Sequence, residues 1–195
     1  MNASTLKTLG FITLLTSPAM TLEAARHGFH KVANENTDPV GALLYGLFSV
    51  GWLCGVLGLR YLRATGTGKA ARWLLNVLAI TVTLAVLQSI MDLLKVPTGH
   101  PIYMVTDLAW PLSMLLTLIV GIAAVFARQL PGWTRLVPLF MGAFIPIMVV
   151  QGALGLDLPY LFDAHTVLAW SLLGITLLSA ASAEKLQNTR SALSA

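Results

Sequence analysis

The chain alternates between long apolar runs and short polar clusters. Residues 40–59, 73–91, 108–127, 136–156 and 166–183 contain no Asp, Glu, Lys, Arg or His. Each is close to the roughly 20 residues that a helix needs to cross the hydrocarbon core of a bilayer. A weaker run, residues 8–22, is uncharged but carries Thr13, Thr16, Ser17 and Pro18, the last of which breaks or kinks a helix. With Lys7 ahead of it, this run has the outline of a signal peptide. Its apolar stretch is interrupted, however, and no A-x-A cleavage site follows closely, so it reads as a short, retained first helix. The pattern predicts an all-α membrane bundle of six spans, over 6–22, 40–60, 73–94, 103–127, 134–156 and 163–183. These form a single membrane domain over 1–195, with no soluble domain.

The polar clusters between the spans alternate in sign. Lys7 precedes the first span; Arg60, Arg63, Lys69 and Arg72 follow the second; Arg128 and Arg135 follow the fourth; Lys185 and Arg190 follow the sixth. The intervening clusters hold only Arg26, Lys31 and Lys95, against Glu23, Glu35, Asp38, Asp92, Asp107, Asp157 and Asp163. Basic residues collect on the cytoplasmic side of membrane proteins, so both termini are expected there. The default location is a bacterial inner membrane.

Composition agrees with the pattern: 56% of residues are hydrophobic and 10% are charged, where a soluble domain is about a quarter charged. The net charge of +4 does not indicate nucleic acid, because the basic residues sit as topology anchors beside anionic headgroups. Cys54 is the single cysteine, which excludes an intrachain disulfide and any zinc or iron–sulfur site built from several cysteines.

The charge count also places all four histidines, His27, His30, His100 and His165, on the outer side with seven of the eight acids. Gln88 and Asp92 lie on one stripe of the third span with Thr81. Together with Asp107, His100, Asp163 and His165 they are candidates for binding a solute or ion, because polar groups within a bilayer face the bundle or a water-filled cavity. Glu23, His27 and His30, at helical spacing, could join His165 in holding a metal such as zinc. The H-x-x-H pair lacks the internal glutamate and the spacing of the zinc-protease H-E-x-x-H. No cofactor is predicted from any motif, and no phosphate-binding loop is present.

In the second span, Gly51, Gly55 and Gly58 form a smooth stripe suited to close helix packing, internally or against a second copy or another membrane protein. In the fifth, Pro138, Gly142 and Pro146 predict a bend. The five tryptophans, Trp52, Trp73, Trp110, Trp133 and Trp170, are expected in part at the membrane interfaces. The leading functional expectation is a small carrier, channel or binding protein with a His- and Asp-lined outer mouth. A metal-dependent membrane hydrolase using the same groups is the alternative, and an accessory subunit docking through the glycine stripe is the third.

Overall fold

The computed structural model describes residues 2–29, 38–156 and 158–193, and within these ranges the chain is helical with no strand. The helices are α1 (Ala3–Thr16), α2 (Ala19–Arg26), α3 (Pro39–Tyr61), α4 (Lys69–Leu93), α5 (Pro101–Ala127), α6 (Val137–Gly142), α7 (Phe144–Ala153) and α8 (Pro159–Leu193), with a 3-10 turn over Gly132–Leu136 before α6. Four are long and apolar enough to cross a membrane: α3, α4, α5 and the Tyr160–Leu186 part of α8. The segment Gly132–Gly142 with Phe144–Ala153 makes a fifth if its two halves, bent by 47°, are one span. The bend falls where the Pro138, Gly142 and Pro146 spacing predicts it.

The first apolar run differs from the single helix expected of it. Pro18 has no N–H to continue the ladder, so α1 ends after 14 residues and an 8-residue α2 follows. Neither piece alone reaches the length of a span. The break is stitched to α8 by the Ser17 and Ser171 hydroxyls, 2.8 Å apart.

Helix starts follow local chemistry. The Asp38 side chain caps α3 by accepting from the Val40 N–H, and Pro39 takes the first turn, where its missing donor costs nothing. His100 does the same for α5, its Nδ1 accepting from the Ile102 N–H ahead of Pro101. Sequential helices then pack in a closed ring: α1 on α3, α3 on α4, α4 on α5, α5 on α6, and α6 and α1 on α8. Phe48 and Trp52 of α3 meet Trp170 of α8 across the middle, ring centroids 5.0 and 5.5 Å from Trp170, all at 1% exposure or less. Trp52 and Trp170 are therefore core residues and not interfacial ones. Trp73 and Trp133 are the exposed pair.

The glycine stripe of α3 is covered within the chain. Gly51 faces Thr16 of α1, while Gly55 and Gly58 face Leu173 and Leu177 of α8. A partner using this face would first have to displace α1 or α8. The hydroxyl stripe of α5 is likewise spent locally, since Thr106, Ser113 and Thr117 donate to the carbonyls of Tyr103, Ala109 and Ser113.

Candidate functional site

At one end of the ring, where α4 finishes and α3, α5 and α8 begin, α2 packs on α3 and α8. This end carries the acid-rich clusters of the sequence. Beneath α2 is a cavity of about 520 Å³, within the size range of small-molecule sites. Its polar walls come from Glu23 of α2 and His27 just after it, Asp38 at the start of α3, Gln88 and Asp92 of α4, Tyr103 and Asp107 of α5, and Asp163 of α8. Tyr45, Trp110, Met20 and Leu108 supply aromatic and aliphatic surface.

Each wall has its own wiring. On the α4–α5 side, Gln88 Nε2 donates to Asp107 Oδ1 at 2.8 Å, and the Tyr103 hydroxyl donates to Asp92 Oδ1 at 2.8 Å. These bonds fix one oxygen of each carboxylate. Tyr103 and Asp107 stand four residues apart on α5, as do Gln88 and Asp92 on α4, so the two pairs share facing stripes. On the opposite side, Arg26 Nη1 bridges Glu23 Oε2 at 2.9 Å and Asp38 Oδ2 at 3.0 Å. His27 Nε2 lies 3.2 Å from Glu23 Oε1 and 3.3 Å from Asp38 Oδ2.

Arg26 holds the Asp38 carboxyl down at about 2, against an ordinary 3.8, despite partial burial that opposes the shift. The backbone N–H groups of Gly41 and Val40, and then His27, add to the same effect. A folded value below the unfolded one stabilises the fold above about 3.8, and that contribution disappears as pH falls through about 2. Asp38→Asn should therefore lower the melting temperature in metal-free buffer at pH 5. The difference from wild type should close as both are titrated to pH 2. A gap that stays constant down to pH 2 would contradict the ion-pair assignment.

Of the residues singled out from sequence, Gln88, Asp92, Asp107, Asp163, Glu23 and His27 line this cavity. His165 does not. It is 5% exposed, packed 4.8 and 6.1 Å from the Phe140 and Phe144 rings, and its Nε2 donates to the Phe140 carbonyl at 2.8 Å. A carbonyl only accepts, so Nε2 carries the proton and the ring serves the α6–α7 bend. Of the expected metal set of Glu23, His27, His30 and His165, the structure brings Glu23 and His27 together and places His165 against Phe140 and Phe144. His100 is an exposed helix cap, and His30 lies outside the described residues. Asp38, Arg26, Tyr103 and Tyr45 were not singled out, although Asp38-Pro39 is legible as a helix start and Tyr103 sits one turn before Asp107.

The cavity is chemically one-sided. Five carboxylates line it, from Glu23, Asp38, Asp92, Asp107 and Asp163, and among the described residues no Lys or Arg lines it. Arg26, bonded to Glu23 and Asp38, is not among the lining residues. Clefts with one sign of charge and low-dielectric walls concentrate ions of the opposite sign. No family model, no curated protein and no solved structure matches the chain.

Proposed function

We propose that this membrane protein is a small carrier, channel or binding protein whose outer cavity takes a small cationic solute or ion. The observation that carries the reading is the set of five carboxylates around one cavity, with aromatic and aliphatic surface between them. Acceptor groups dominate the walls, and a cation or ammonium group is their natural complement.

In this reading α1 and α2 together make a sixth crossing, supported by the place of α1 in the ring between α3 and α8. Both termini then face the cytoplasm of a bacterial inner membrane, and the cavity opens outward, because nine of the twelve Lys and Arg lie in the opposite clusters. The test is a comparison of small inorganic and organic cations with anions of similar size. Cations should raise the melting temperature of the detergent-purified chain and enter proteoliposomes containing it. Equal stabilisation and uptake of anions would sink the proposal.

One observation favours a second reading, a metal-dependent hydrolase. The ligand atoms of Glu23, His27 and Asp38 all lie within 4.8 Å of one another beside the cavity. A metal held there would supply a Lewis acid and an activated water.

A further inference from the structure

We infer that Glu23, His27 and Asp38 form a binding site for a divalent transition metal of the zinc class, with Arg26 as its displaceable counter-ion. Three local features support this beyond the choice of residues.

The first is spacing. His27 Nε2 faces two carboxylate oxygens at once, 3.2 and 3.3 Å away. One N–H cannot align well with both acceptors. A tetrahedral ion with bonds of roughly 2.0–2.1 Å would hold its ligand atoms about 3.3–3.4 Å apart, so the two separations from His27 Nε2 are close to its edges, and all three ligand atoms lie within 4.8 Å of one another. One imidazole with two carboxylates is also a donor set that such ions accept.

The second is room. A Cβ on Gly41 would stand 2.7 Å from Glu23 Oε1 and 3.2 Å from Asp38 Oδ2. The missing side chain leaves the two facing oxygens clear, at the N-terminal turn of α3, where the backbone N–H of Val40 holds Asp38 Oδ1 at 3.0 Å. All three ligand residues also line the cavity.

The third is Arg26. Its guanidinium binds Glu23 through Oε2, leaving Oε1 to face His27, and binds Asp38 through both oxygens, so it competes with a metal at Asp38. The arginine side chain is 37% exposed. Because the guanidinium is solvent-accessible, it can swing away from Asp38 into water when an ion takes its place. Arg26 would then remain on Glu23 Oε2 as an outer-sphere partner.

This inference concerns bound metal and not the solute that the cavity takes, so it can fail while the carrier reading stands, and the reverse. The test uses the full chain, purified without a polyhistidine tag, loaded with zinc, dialysed against metal-free buffer and analysed for elemental zinc. About one zinc per chain is expected. His27→Ala, His27→Gln and Glu23→Gln should each weaken binding by more than the roughly 10–100-fold that outer-sphere changes cost. Monodisperse elution of either His27 variant separates loss of a ligand from loss of the fold. Arg26→Ala should keep the stoichiometry and tighten binding by roughly 1.4- to 5-fold or more, the lower range being that of the one ion pair displaced. His100→Ala and His165→Ala should leave bound zinc unchanged. Less than about a tenth of a zinc per wild-type chain, full zinc in a folded His27 variant, or equal loss on His100→Ala would each overturn the site.

Discussion

Asp107→Asn is expected to abolish cation binding at the cavity while leaving the bundle folded. The replacement is nearly isosteric, and the Asn side-chain oxygen can still accept from Gln88 Nε2, which now reaches Asp107 Oδ1 at 2.8 Å. The charge is lost, and the second carboxylate oxygen becomes an NH2 donor that cannot hold a cation. One unit charge about 4 Å from a cation, at an effective dielectric near 20, is worth about 4 kcal/mol, or roughly a thousandfold in affinity. Asp107→Leu should do more damage. It removes the acceptor as well, leaving the donor of Gln88, a residue only 8% exposed, without its partner. An orphaned buried donor costs about 1–3 kcal/mol of stability. The check is a titration of cation-induced stabilisation for both variants beside wild type. If Asp107→Asn binds cations within about twofold of wild type, the carboxylates do not form the site.

The largest effect on the fold itself is expected at Gly121. A Cβ there would lie 2.6 Å from the Pro138 carbonyl oxygen and 2.7 Å from the Leu139 nitrogen. Both are backbone atoms of the neighbouring α6, so no side-chain rotation relieves the clash. The opposite contact is equally tight, since a Cβ on Gly142 would meet the Leu118 nitrogen at 2.8 Å. Such glycines let helix backbones approach where lipid removes the hydrophobic drive to associate. Gly121→Ala should cost about 3 kcal/mol, the upper part of the overpacking range, and Gly121→Leu should prevent α6 from docking. Gly152→Ala is the matched control, because nothing lies within 4 Å of its added carbon. Melting temperatures in detergent should fall steeply for the first and stay level or rise slightly for the control. Equal behaviour at the two positions would contradict the close α5–α6 packing.

The one-sided gathering of acids was legible in the order of the charges alone, and it led to six cavity-lining residues. The α4 stripe was legible too, because Gln88 and Asp92 are four residues apart and must share a face. His165 was misleading for a related reason. It stands two residues after Asp163, about 200° around the same helix, so the two cannot face the same cavity. Proximity in sequence at a helix start says little about direction until the rotation of that helix is known, and only its neighbours set that rotation. His100 lost its availability to a backbone N–H, a local competition that Pro101 announces but does not prove. The partner of the α3 glycine stripe was equally hidden, since small residues fit any neighbour. Tertiary packing chose α1 and α8.

The central claim is that an acid-lined, outward-opening cavity selects cations, and thiol labelling from outside intact cells tests it most directly. In a Cys54→Ser background, Ala24→Cys places one reporter thiol on the cavity wall beside Glu23 and His27, with all five carboxylates retained. At low ionic strength a membrane-impermeant cationic methanethiosulfonate should label it faster than an anionic one of similar size. The ratio should be about tenfold or more and should shrink as salt is added. Equal rates, a preference for the anion, or labelling only from the cytoplasmic side would contradict the account.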